Sequence, residues 1–214
     1  DTSKPNHPLQ RARTTARVAD LAKQASEFNG HIGIAHTRWA THGKPDTQNA
    51  HPHISNNLIA LVHNGIIENY EPLREQLITA GYQFSSETDT EVIAHLVHCE
   101  YVKLAKPDLR EAVAASILQL KGAYAIAVIS QTEPKRLIGA RAGSPLIVAL
   151  GNDGHYLSSD ALALAGKAET IIYLEEGDLV ALDDRDYAIW DCNGKKVDRE
   201  VKSMPMQAEA VELG

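Results

Sequence analysis

Residues 122–158 read GAYAIAVISQTEPKRLIGARAGSPLIVALGNDGHYLS. Residues 123–129 form a continuous apolar run. Residues 136–141 and 146–150 read as two more strands, and Asn152, Asp153 and Gly154 make a turn into 155–158. Short runs rich in Ala, Val and Ile, broken by Gly, Pro and Asn, are the pattern of hairpin-linked strands. The pattern continues downstream at 170–174, 178–182 and 187–191, with a short helical piece at 162–165 and a last tight turn at Asn193 and Gly194. Upstream, the period changes. Val18, Leu21, Ala22, Ala25 and Phe28 make a helical stripe stopped by Asn29 and Gly30. Residues 31–36 alternate as a strand does and run into a long polar loop over 37–57. Residues 58–62 read as a buried strand, with His63, Asn64 and Gly65 as the turn that ends it.

Three helices are expected between that strand and Gly122. The first starts near Asn69, with Pro72 in its first turn, Tyr70, Leu73 and Leu77 on one side and Gly81 as its stop. Thr88 and Glu91 have the spacing of a capping box, and Val92, Ile93, Leu96 and Val97 carry one face toward Tyr101. Asp108 and Glu111 repeat the device ahead of Leu109, Val113, Ile117 and Leu120, with Gly122 closing the helix. Hairpin-linked strands beside central helices favour an α+β fold with mainly antiparallel sheets over a doubly wound parallel sheet.

The 214 residues suffice for one large domain or two small ones. With 43% hydrophobic and 23% charged residues the chain is a globular one, neither collagenous nor disordered. A net charge of -7 repels phosphate backbones and anionic lipid, so no nucleic-acid or membrane partner is expected. The longest apolar run, 123–129, falls far short of the ~20 residues of a membrane-spanning helix. Two cysteines, Cys99 and Cys192, without a CxxC pair, fit free thiols in a cytoplasmic protein. No Gly-rich phosphate-binding loop of the GxGxxG or GxxxxGK[ST] kind occurs.

Six of the ten histidines fall within 31–63. His51 and His53 flank Pro52 and could present two imidazoles to a metal, but no cysteine or carboxylate completes a known ligand spacing. No metal is expected. His36 and His63, at strand ends, read instead as groups that hold loops by ring hydrogen bonds.

Four ordered motifs carry more: His36-Thr-Arg-Trp-Ala-Thr-His-Gly43, Asn49-Ala-His-Pro-His53, Val62-His-Asn-Gly65 and Ser86-Glu-Thr-Asp-Thr-Glu91. Over roughly residues 18–198 the chain resembles the class II glutamine amidotransferases, and more narrowly the glutaminase domain of the glucosamine-6-phosphate synthase family. The resemblance implies an N-terminal-nucleophile hydrolase fold of four αββα layers. It also implies a reaction. An N-terminal cysteine, with its own α-amine as base, attacks the side-chain amide of L-glutamine. A γ-glutamyl thioester forms, ammonia leaves, and water releases glutamate. The ammonia would serve the synthesis of glucosamine 6-phosphate from fructose 6-phosphate at a sugar isomerase domain of the same protein, through which the full-length protein would be a homodimer. No cofactor is implied.

The resemblance assigns roles residue by residue. Asn64, by its side-chain amide, and Gly65, by its backbone N–H, would form the oxyanion hole, and a lone Asn-Gly could equally be an ordinary turn. Arg38 would clamp the glutamine α-carboxylate, a task suited to a planar fork of donors. Asp89 would hold the α-ammonium, while also standing as a favourable acid in a helix's first turn. Trp39, Thr41 and His42 would belong to a lid that orders over the substrate. His51 and His63 would support the site from behind its lining.

The departure from the family lies at the start. The sequence opens at Asp1, and the nucleophile strand with its cysteine is missing from it. Cys99 and Cys192 lack the α-amine that the mechanism uses, so this polypeptide alone is expected to be inactive. The expected layout is a polar lead-in over 1–12, a glutaminase domain over 13–200 and a linker over 201–214. Two further readings stay open: a non-catalytic glutamine-binding remnant, and the glutaminase domain of a sister amidotransferase with another acceptor.

Overall fold

The computed structural model describes residues 8–38, 44, 46–184 and 186–204. In chain order the elements begin with α1 (Val18–Gln24), β1 (His53–Ser55), β2 (Ile59–Ile67), α2 (Tyr70–Thr79), α3 (Asp89–Lys103) and α4 (Leu109–Ile117). Then follow β3 (Gly122–Ser130), β4 (Leu137–Ala142), β5 (Ile147–Leu150), β6 (His155–Ser158), β7 (Thr170–Tyr173), β8 (Leu179–Leu182), β9 (Tyr187–Trp190), β10 (Lys196–Val197) and β11 (Val201–Ser203). Short 3-10 turns cover Thr47–Asn49 and Ala161–Leu164.

The strands form two sheets, a larger one in the order β1-β2-β3-β4-β8-β9-β10 and a smaller one in the order β11-β7-β5-β6. Every strand pair within them is antiparallel. The period-2 alternation of the strands sorts their side chains into two cores. Ile126 and Val128 of β3 face the helix layer with Ile93, Val97 and Val113. Ala125 of the same strand faces the other way, and Val180, Leu182 and Ile189 meet Val148 and Ile172 of the smaller sheet. The result is the expected α+β arrangement of helices, sheet and sheet. On the outer face of the smaller sheet, Leu164 of the second 3-10 turn packs on Ile147, Ala149 and Ile171.

The differences from the sequence reading are local. β2 does not turn at His63, Asn64 and Gly65 but runs on to Ile67, paired with β3 from Ile59↔Ser130 to Ile67↔Gly122. Gly65 makes that continuation possible. Its φ is 127°, and a Cβ there would run into the Ala123 carbonyl, whose carbon lies 2.7 Å away. Residues 31–36 are not in a strand, because no described strand runs beside them and alternation without a partner makes no ladder. α1 stops at Gln24 and buries none of its residues, so its short stripe is left without a counterface. The polar stretch 37–57 contains a 3-10 turn and β1. Gly122 opens β3 with φ 118°, whereas α4 already ends at Ile117. Residues 201–203, read as the start of a linker, pair with β7.

Candidate active site

The site is built at the start of α3. Thr88 is extended, and its Oγ1 accepts the Glu91 N–H at 3.3 Å, which caps the helix. Glu91 does not complete the reciprocal box. Its carboxylate instead accepts from the Ser85 N–H and hydroxyl at 2.9 and 2.7 Å and from the Ser86 N–H and hydroxyl, both at 2.6 Å. Burial alone would push Glu91 up, but these bonds hold its carboxyl below the ordinary value. The tight turn they fasten delivers Asp89 to the first helical position, 3% exposed, where its Oδ2 accepts the Ile67 N–H at 2.9 Å. The end of β2 and the head of α3 are thereby tied at one carboxylate.

A cavity of about 140 Å³ lies beside this junction, between the second half of β2, the start of α3 and residues 36–38. Asn64, Gly65, Asp89 and Arg38 line it, and so do His51 and His63. Around it runs a polar network. His36 Nε2 lies 2.7 Å from Asn64 Oδ1. Thr90 Oγ1 lies 3.0 Å from His51 Nε2 and 3.1 Å from His63 Nδ1. A hydroxyl donates one hydrogen bond and accepts two, so Thr90 can pair with both rings. His51 Nδ1 is buried without a partner among the described residues, which puts the ring proton on Nε2. His51 therefore donates to Thr90, whose hydroxyl also meets His63.

Burial lowers the pKa of His36 against the pull of its bond to Asn64. His51 is pushed far down by burial and by the neighbouring imidazoles. His53, bonded to Thr88 Oγ1 at 3.1 Å, is pushed down to about 4, again mainly by burial. These three rings are thus neutral near pH 7. The loop in front is fastened by buried Asn49, which accepts the Glu87 N–H at 3.0 Å and donates to the Lys44 carbonyl at 3.1 Å. Arg38 donates to that same carbonyl at 3.2 Å.

Six residues singled out from sequence thus meet at one cavity. Trp39, Thr41 and His42 lie outside the described residues. The sequence reading did not place Thr37, Thr88 or Thr90 at the site, because Thr37 read as the start of a polar loop and Thr88 as a helix cap, and it took His36 for a strand end. Neither half-buried Cys99 on α3 nor exposed Cys192 lines the cavity. Among the described residues no group of three or more His, Cys, Asp or Glu is placed to hold a metal ion. No helix among them is long and apolar enough to cross a membrane.

Residues 36–166 match the family model described as glutamine amidotransferase domain. Curated proteins named glutamine–fructose-6-phosphate aminotransferase (isomerizing) are similar along nearly the whole chain. That of Bordetella pertussis is 54% identical over 213 residues, 96% of this chain and 34% of that protein. That of Legionella pneumophila strain Paris is 49% identical over 208 residues, again 96% and 34%. The Pseudomonas putida protein is 48% identical over 211 residues, 98% and 34%. The chain therefore spans about a third of the length of these relatives. Among solved structures, glutamine phosphoribosylpyrophosphate amidotransferase from B. subtilis, complexed with ADP and GMP, superposes with a TM-score of 0.55. It is 26% identical and covers 80% of this chain and 34% of its own. A structure described as the allosteric regulatory enzyme of purine biosynthesis gives a TM-score of 0.55 at 28% identity, with 80% and 35% covered.

Proposed function

The chain belongs to the glutamine amidotransferase domain family, and we propose that this domain hydrolyses the side-chain amide of L-glutamine and supplies ammonia for making glucosamine 6-phosphate from fructose 6-phosphate. The observation that carries the reading is the company kept in one cavity: Asn64 and Gly65 on β2, a buried carboxylate at Asp89 and a guanidinium at Arg38. Arg38 and Asp89 would read the α-carboxylate and α-ammonium of a free amino acid, which excludes peptide-linked glutamine. Asn64 and Gly65 would donate to the oxygen of the tetrahedral intermediate.

In the proposed cycle a thiolate attacks the amide carbon and the C–N bond breaks. Ammonia leaves with the proton taken from the thiol, and water then cleaves the thioester to glutamate. The resemblance assigns the thiol to an N-terminal cysteine that uses its own α-amine as base. Cys99 and Cys192 lie away from the cavity lining, so a polypeptide of these 214 residues is proposed to bind glutamine without turning it over. The lid role of Trp39, Thr41 and His42, and the supporting role of His51 and His63, belong to the same proposal.

Fructose 6-phosphate is favoured as the acceptor by 54% identity to an aminotransferase named for it, against 26% to the phosphoribosylpyrophosphate enzyme. The acceptor would react at a sugar isomerase domain of the same protein, which would also form the homodimer. A cytoplasmic setting suits the two unpaired cysteines.

The test is calorimetric titration of the chain with L-glutamine and with N-acetyl-L-glutamine, beside an assay of glutamate release by the complete protein. Binding of the first ligand alone, with glutamate release by the complete protein, is expected. Binding without release in the complete protein would leave a glutamine-binding remnant, and equal binding of both ligands would remove the role of Asp89.

A further inference from the structure

An oxyanion role for Asn64 requires its NH₂ group, and not its carbonyl oxygen, to face the cavity, and a half-turn of the terminal amide exchanges the two. His36 breaks that tie. Its Nε2 lies 2.7 Å from Asn64 Oδ1, while its Nδ1 is buried with no hydrogen-bond partner among the described residues. A neutral imidazole carries one N–H. On Nδ1 that proton would be a buried, unpaired donor, whereas on Nε2 it completes a hydrogen bond to Asn64. Burial keeps the ring neutral. The ring plane is set by an edge contact with His51, centroids 4.0 Å apart, and His51 is itself anchored on Thr90.

We propose that His36 is a positioning residue for the reaction: its Nε2–H holds Asn64 Oδ1 and so aims the Asn64 NH₂ at the point where the oxyanion forms. The inference rests on the amidotransferase reading above. His36 touches no reacting atom, and its effect passes wholly through Asn64. It therefore acts on the transition state and leaves recognition of the amino-acid ends to Arg38 and Asp89.

The experiment is steady-state kinetics of glutamate release by the complete protein carrying this domain. His36→Phe keeps a ring but removes the donor, and kcat is expected to fall about 100-fold, the scale of a lost oxyanion donor, while KM for glutamine changes less than about threefold. His36→Gln, whose amide nitrogen can stand in for Nε2, recovers most of the rate. His36→Asn, which reaches only as far as Nδ1, does not. This amide pair decides the matter even if the Phe variant fails to fold. In an Asn64→Ala background, His36→Phe costs nothing further, because the two act as one unit. Additive losses in the double variant, Gln no better than Asn, or a raised KM at unchanged kcat would each overturn the proposal with the amidotransferase reading intact. Absence of glutamate release by the unaltered protein would remove that reading, and this inference with it.

Discussion

Asp89 gives the sharpest single-residue expectation. Asn at this position can still accept the Ile67 N–H, so Asp89→Asn keeps the junction and loses the charge. L-Glutamine affinity should drop about 10- to 100-fold, the range of a charge-assisted hydrogen bond, with little change in urea midpoint. Calorimetry beside a denaturation curve checks both halves. Gly65 is the opposite case. Gly65→Ala places a Cβ against the Ala123 carbonyl at a φ that side chains avoid, and a loss of at least about 3 kcal/mol in urea unfolding is expected. Arg38, Asn64, Gly65 and Asp89 were legible only through the four ordered motifs and the family those motifs resemble: singly they read as a surface arginine, a turn and a first-turn acid. All four line the cavity. Thr90 was silent. A hydroxyl between two imidazoles depends on where three distant segments meet, and no spacing encodes that.

The head of α3 shows how one element sets the site. Its Thr88 cap is worth about 1 kcal/mol, so Thr88→Ala should cost that much. Glu91→Gln should cost more, about 3 kcal/mol in urea unfolding, because an NH₂ group would face hydroxyl and amide donors that now point at a carboxylate. A Gln variant as stable as the native chain would show that the 85–86 turn does not depend on that charge. The same element marks what sequence patterns convey. Thr88 and Glu91 announced a helix start correctly, yet the true partners of the carboxylate, Ser85 and Ser86, lie before the cap and outside the box. The strands of residues 122–190 were legible because apolar runs between turn residues have few other uses. β2 was cut short in the sequence reading because His63, Asn64 and Gly65 look like a turn. Only their pairing with Tyr124, Ala125 and Ile126 shows them to be strand.

Acid is the condition to which the whole molecule should respond. His36, His51, His53, His95 and His98 are all held below the ordinary 6.5 by burial, His53 down to about 4. The unfolded chain takes up these protons as pH falls through 6.5 and the native chain does not, so stability drops toward pH 4 and is level above about pH 7. The slope is up to about 1.4 kcal/mol per pH unit for each such histidine. Glu91 adds in the same direction at lower pH, since its depressed pKa contributes stability above the ordinary carboxylate value that is lost below it. Urea midpoints at pH 5, 6, 7 and 8 check this, and equal midpoints at 5 and 7 would contradict it.

The residues that line the cavity all fall between His36 and Thr90, and the strand that braces β2 ends at Ser130. The smaller sheet begins only at Ile147. A chain emerging from the ribosome would therefore hold every cavity-lining group, and the strand behind them, before the first residue of that sheet had been made. In order of birth the pocket is the older half of the molecule, and the second sheet is the weight laid across its back.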